Sequence, residues 1–317
     1  MIGTSATPED RVGIHARVRA ALPWWLRLAP LFLSALLFLS AFFSPLAPLP
    51  LVYANLRFGR RWAWAAALTN SAIVARASGV PGAGVYIVAI ATVGLALPEM
   101  MRRKATLQRA WIWTLGAVSL AALVALAIVA RLHSVSVGVE LQTQLTRVVE
   151  VLIRELPPGA TTGGEVVDPE TLKTDLREEI PSVIAVFGLL LVWANIALAA
   201  RFRSAPREED PIGISIPSIR AWKAPDWLVW PTIASGFLLI FDGGQASIVA
   251  LNLFKFLMAL YAIQGLCVMA FFMEAWNIRA GLRTGINVAV VLLMLPLVLS
   301  LGFFDLWFDF RSKFRQS

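Results

Sequence analysis

Long apolar blocks recur along this chain, and arginine, lysine or tryptophan closes most of them. A helix needs about 20 apolar residues to cross the hydrocarbon layer of a membrane. By that measure the pattern predicts spans over Leu26–Phe43, Trp62–Arg76, Val80–Met100, Ala110–Ala130, Pro181–Ala200, Trp227–Phe241, Ser247–Met273 and Ile286–Phe303. The segment Ser44–Phe58, broken by Pro45, Pro48 and Pro50, either crosses as a thin, kinked ninth span or folds as a re-entrant piece shielded by protein. One stretch has a different period. Val137, Leu141, Leu145, Val148, Leu152 and Leu156 recur at helical spacing among polar residues, which predicts an amphipathic helix at the membrane surface or across the mouth of the bundle. Turn-forming Pro157, Pro158, Gly159, Gly163 and Gly164 follow it, and Asp168-Pro169-Glu170 reads as an N-cap opening a short polar helix before the next span.

The fold class is therefore all-α, a polytopic transmembrane bundle of eight or nine spans with one amphipathic extracytoplasmic helix. It divides into a basic cytoplasmic tail (1–25), N-terminal transmembrane helices (26–131), an extracytoplasmic loop (132–180), C-terminal transmembrane helices (181–304) and a tail (305–317). Composition agrees: 58% of residues are hydrophobic, 15% are charged and the mean hydropathy is +0.71. The net charge of +8 resides mostly at block ends, where it orients spans by the positive-inside rule, so nucleic acid is not an expected partner. Arg57, Arg60 and Arg61, then Arg102, Arg103, Lys104 and Arg109, then Arg201, Arg203 and Arg207, and finally Arg279 and Arg283 fall on one side, with the N-terminus, if Ser44–Phe58 crosses. Trp24, Trp25, Trp62, Trp64, Trp111, Trp113, Trp222, Trp227, Trp230 and Trp276 fit an interfacial belt at the same ends. Nine crossings would place Arg311, Lys313 and Arg315 outside, unless the tail lies in the interface with Asp305 and Asp309 offsetting its charge. No A-x-A cleavage site follows the first block, so a retained first helix is expected.

Candidate chemistry is sparse. The lone Cys267 and the two histidines, His15 and His133, predict no disulfide, metal site or cofactor. Without a G-x-S-x-G, H-E-x-x-H or Walker A pattern, no enzyme activity is expected, and ATP-driven transport would need an ATPase on another chain. Polar residues inside spans are costly and carry a functional reading by default. They are Asn70, Asn195, Asn252, Lys255 and Gln264. At 100° per residue Asn252 and Lys255 share a face, while Gln264 points opposite to Lys255. Lys255 either snorkels, meets an anionic ligand, or pairs with an acid such as Asp242; Asn70, Asn195 and Gln264 bond between helices or contact a ligand. Glu99 is expected in an interfacial ion pair, and Asp226 as a helix N-cap.

The runs Pro225-Asp226-Trp227-Leu228-Val229-Trp230-Pro231, Leu260-Tyr261-Ala262-Ile263-Gln264-Gly265-Leu266 after Asn252, and Leu301-Gly302-Phe303-Phe304-Asp305 ending at Phe310-Arg311 resemble the YybS-like family of bacterial membrane proteins, a domain of unknown function. Pro48-Leu49-Pro50 and Arg57-Phe58-Gly59-Arg60-Arg61-Trp62 are consistent with it. The resemblance implies a multi-pass bacterial inner-membrane protein, distantly similar to the substrate-binding S components of energy-coupling-factor transporters. Those dock on a coupling subunit through an alanine motif in the first helix; here Leu33 follows Ala29 and Leu39 follows Ala35, so the motif is not evident. Two functions stay open. One is a small-molecule-binding or transport component in which Lys255 supplies charge and Asn252, Gln264 and Asn195 orient the ligand. The other is an assembly scaffold for other inner-membrane proteins. The expected partners are the lipid bilayer, a small-molecule ligand and membrane-protein subunits.

Overall fold

The computed structural model describes residues 28–155, 161–162, 165–166, 169–203, 214, 216–241 and 244–316. Their regular elements are helices apart from one antiparallel pairing of Thr161–Thr162 with Glu165–Val166. The chain forms two compact units, 1–99 and 100–317.

In the first unit, α1 (Pro30–Leu39), a 3₁₀ turn (Ser44–Leu46) and α2 (Pro48–Phe58) pack against one another and against α3 (Arg60–Val85). A π-helical turn (Tyr86–Ala91) leads on into α4 (Thr92–Arg102). Gly79 breaks α3 with φ of 76°, a backbone state that glycine adopts without a Cβ clash. An Arg60 amino group binds both Glu99 carboxylate oxygens at 2.6 Å, although a straight helix would hold these residues about 58 Å apart. The chain therefore doubles back at Gly79. Its two legs correspond to the expected spans over Trp62–Arg76 and Val80–Met100, and Glu99 has its ion pair.

Polar side chains seal this unit. The buried Asn70 carboxamide accepts from Ala35 N at 2.7 Å and donates to Pro30 O at 2.8 Å and Ala66 O at 2.6 Å. Ser34 donates to Ala47 O at 2.6 Å and shares a 2.7 Å hydrogen bond with the Tyr86 hydroxyl. Asn70 thus acts between helices. At 10 and 11 residues, α1 and α2 are about 15 Å long, half the hydrocarbon thickness. Within Leu26–Phe43 and Ser44–Phe58 the described residues form these two short helices and the 3₁₀ turn between them.

The second unit contains α5 (Leu107–Leu132), α6 (Val137–Arg154), α7 (Pro169–Arg203), α8 (Ile216–Arg220), a 3₁₀ turn (Asp226–Leu228), α9 (Val229–Leu238), α10 (Gly244–Ala275), α11 (Ala280–Phe308) and α12 (Phe310–Gln316). Helix α10 is the hub, packing against α7, α9, α11 and α12. Its contact with α11 runs backbone to backbone. A Cβ on Gly302 would overlap the Tyr261 carbonyl and lie 2.7 Å from Gly265 N, and one on Gly265 would overlap the Val298 carbonyl.

Among the described residues five helices are long and apolar enough to cross a membrane: Arg60–Arg102, which contains the two legs that meet at Gly79, Leu107–Leu132, Glu170–Arg201, Gly244–Ala275 and Gly281–Phe308. The expected span over Trp227–Phe241 shrinks to a 3₁₀ turn and the ten-residue α9. Asp226 opens that turn and pairs with Lys223 at 3.1 Å, with Pro225 rather than Asp226 at the cap position. The expected short polar helix is the first part of α7, which continues through Pro181. Ser136 caps α6, accepting from Val139 N at 3.3 Å, and α6 packs on α5 and α7, where Arg177 donates to Gln142. His15, Trp24, Trp25, Leu156, the turn residues after it, Asp168 and Arg207 lie outside the described residues.

Candidate functional site

Three of the four expected site residues, Asn252, Lys255 and Gln264, lie on α10, on two opposite faces as their spacing requires. The Asn252 carboxamide accepts from Ser182 N at 2.6 Å and donates to Glu178 O at 2.8 Å. In an uninterrupted helix that donor and acceptor would pair with each other. Asn252 therefore supports the α7 backbone beside Pro181, where the ring disturbs the helical ladder. One turn along, Lys255 Nζ lies 2.7 Å from Glu179 Oε1, both side chains being partly exposed. The partner is Glu179; Asp242 lies outside the described residues.

On the other face, the fully buried Gln264 accepts from Ala224 N at 3.0 Å and donates to Asp305 Oδ2 at 2.9 Å. The same carboxylate takes Arg311 Nη2 at 2.6 Å and Phe310 N at 3.2 Å. Arg311 Nη1 donates to Arg220 O at 3.0 Å and Trp222 O at 2.8 Å. Asp305 is 0% and the Arg311 side chain 8% exposed. Two irregular backbone pieces meet here, the non-helical stretch before Asp226 and the left-handed break at Asp309 between α11 and α12. Gln264 stands about 16 Å from the Ala275 end of α10. Broken backbone at such depth is tolerated only where protein satisfies it, and Gln264, Asp305 and Arg311 do that. Arg311 and Asp305, read from the sequence as tail charges, form a buried ion pair at the same place in the unit as Trp222.

Trp222 is delivered by this network into an aromatic cluster. Its ring centroid lies 4.6 Å from that of Trp193 on α7 and 6.5 Å from that of Trp111 on α5, both near edge-on. All three are buried, which corrects the interfacial assignment of Trp111 and Trp222; Trp62, Trp64, Trp113, Trp227, Trp230 and Trp276 are 40–73% exposed, as a belt requires. Asn195, the fourth expected residue, is buried on α7 and donates to Leu191 O at 2.7 Å.

A groove of about 390 Å³ opens between α9, α10 and α11, lined by Ile233, Gly236, Phe254, Met258, Leu299 and Phe303, with Thr232 and Ser300 as hydroxyls. It exists because α9 is short and Gly236 carries no side chain opposite Phe254. Its size and lining suit an apolar molecule with few polar groups. No group of three potential metal ligands occurs among the described residues.

The sequence reasoning missed Trp193, Asp305 and Arg311 as members of a site. The signal was there in part, since Asp305 directly follows an apolar run and stands six residues before Arg311. One family model, described as a predicted membrane protein (DUF2232), matches residues 26–306. No curated protein and no solved structure matches the chain.

Proposed function

The chain belongs to the DUF2232 family of predicted membrane proteins, and from that premise we propose that it is a small-molecule-binding or transport component whose second unit holds an apolar ligand. The observation that carries this reading is the junction at Gln264, Asp305 and Arg311 beside the groove along α9. Discontinuous helices inside a membrane, with their freed backbone groups satisfied by buried polar side chains, are typical of substrate sites in transporters. In this reading the groove takes the apolar body of the ligand, Lys255 supplies charge at the α7 face, Asn252 and Gln264 keep the surrounding helices in place, and Asn195 is buried within α7. The YybS-like resemblance, the likeness to S components, a full count of eight or nine crossings and a bacterial inner-membrane location belong to the same proposal.

The test is mass spectrometry of protein purified gently from its native membrane, followed by two variants. A retained molecule that Gly236→Leu excludes supports the groove, and loss of it on Lys255→Met, with folding intact, adds the cation. An empty core with an intact fold overturns the reading. The second reading, an assembly scaffold, is favoured by α6, which leaves Val137, Leu141, Val148, Val151 and Leu152 43–58% exposed outside the spans. Deleting 137–156 should then release a stoichiometric membrane partner while leaving any ligand bound.

A further inference from the structure

The groove along α9 is recessed, uncharged and rimmed by exposed apolar side chains. Thr232 at its floor is buried, and Phe254 and Met258 are half-buried, while Ile233 and Phe304 on the rim are 50% and 47% exposed. None of its lining residues carries a charge. Both of its hydroxyls are already committed to carbonyls one turn back: Thr232 Oγ1 donates to Leu228 O at 2.8 Å and Ser300 Oγ to Pro296 O at 2.8 Å. A ligand with carbonyls or amides inside the groove would leave them without a free donor, which is costly. The part of the ligand that fits is plain hydrocarbon.

The groove also has a direction. Phe303 and Phe304 lie about 6–7 Å from the Phe308 end of α11, and Leu299 about 13 Å from it. Trp307, 54% exposed, packs on both rings, its centroid 4.9 Å from Phe303 and 6.4 Å from Phe304. Exposed tryptophans mark the level where hydrocarbon meets water. The groove therefore starts just inside the interface and runs toward the middle of a layer about 30 Å thick, along the path of a lipid chain.

A cation stands at the interfacial end. Lys313 Nζ lies 5.5 Å over the Phe308 ring, and the centroid of that ring is 6.2 Å from that of Phe304 on the rim. Lys223, which reaches Leu306 O at 3.4 Å, and Arg311 belong to the same end of α11 but are paired with Asp226 and Asp305. Lys313 is exposed, and among the described residues no carboxylate pairs with it. A basic side chain at the membrane surface attracts lipid phosphate.

We propose that the groove seats one acyl chain of a membrane phospholipid, with the phosphate beside Lys313. This rests on the groove reading above, names the class of its ligand and asks nothing of Lys255.

The test uses the full chain, delipidated in detergent, with three probes: a dipalmitoyl phosphatidylglycerol, the diacylglycerol with the same chains, and a polyisoprenyl phosphate, which keeps the phosphate on a branched chain. Native mass spectrometry and thermal stabilisation report binding. The expected result is that the phospholipid is retained and raises the melting temperature, while the other two bind at least about tenfold more weakly. Gly236→Leu, whose side chain grows toward Phe254, should abolish retention. Lys313→Gln should bring the phospholipid down to about the level of the diacylglycerol, with the ligand-free melting temperature unchanged. If Gly236→Leu shifts the ligand-free protein, a phosphatidylglycerol with a diazirine in one acyl chain replaces it. Its crosslinks in the wild type should concentrate on Phe254, Met258 and Leu299; labelling spread equally over the exposed Leu120 and Leu292 overturns the proposal. Tighter binding of the polyisoprenyl phosphate, or phospholipid retention unmoved by Lys313→Gln, overturns the phospholipid assignment and leaves the groove reading standing. Failure of all three probes also overturns it, and if the protein from its native membrane retains no molecule, the groove reading falls with it.

Discussion

Replacing Arg311 by Met probes the junction most directly. The guanidinium has two tasks, neutralising a carboxylate that is 0% exposed and donating to the carbonyls of Arg220 and Trp222. Met keeps the length of the chain and abandons both. Removing one partner of a buried ion pair costs about 3–5 kcal/mol, because the remaining charge is left uncompensated. Gln264 and Phe310 N still donate to Asp305, so the loss should fall in that range rather than above it. Equilibrium unfolding in mixed micelles measures it, and near-ultraviolet circular dichroism reports locally, since Arg311 holds the Trp222 backbone. The decisive comparison adds Asp305→Asn. With the carboxylate neutral, the double variant should be more stable than Arg311→Met alone by more than 1 kcal/mol or so, a non-additivity expected of coupled neighbours. A loss below about 1 kcal/mol for Arg311→Met, or strict additivity, would refute a buried charge pair as the centre of this junction.

Gly302→Ala should destabilise by about 1–3 kcal/mol or more, since its Cβ meets backbone atoms of α10 that cannot yield; Gly281→Ala, with open space around it, serves as the neutral control in the same unfolding assay. Asn252→Leu should open α7 beside Pro181 by freeing Ser182 N–H and Glu178 C=O, read as faster hydrogen exchange at the Ser182 amide, whereas Glu179→Gln, which touches only a partly exposed pair, should change stability by less than about 1 kcal/mol. At the base of α6, the His133 ring N–H donates to Glu140 at 2.8 Å and Gln144 donates to it at 2.6 Å, and these hydrogen bonds, the His133 one first, hold the Glu140 carboxyl below its ordinary range. A depressed folded value means the unfolded chain takes up the proton first. The contribution is then complete above the ordinary carboxylate range, near pH 4.3, and is lost as pH falls toward the lowered folded value. Protease sensitivity of the α5–α6 turn should rise across that window in the wild type and show no such step in Glu140→Gln.

The membrane class, most helix locations and the two faces of α10 were legible in the sequence, because block length and a 100° step per residue are local properties. The same arithmetic separated Gln264 from Lys255 before any contact was known. Partners were another matter. Lys255 meets Glu179 rather than Asp242 because α7 carries its polar first turns straight through Pro181, and nothing near Lys255 in sequence announces a residue 76 positions earlier. Trp111 and Trp222 have the flanks of belt tryptophans, yet only the packing of α5, α7 and the α8–α9 connection turns them inward against Trp193. Asp305 and Arg311 look like tail charges until the left-handed turn at Asp309 folds α12 back. Hydropathy determined where helices form in this chain. Which helices stop short and which charges are buried was decided by long-range hydrogen bonds to the broken backbone, and those depend on the tertiary structure alone.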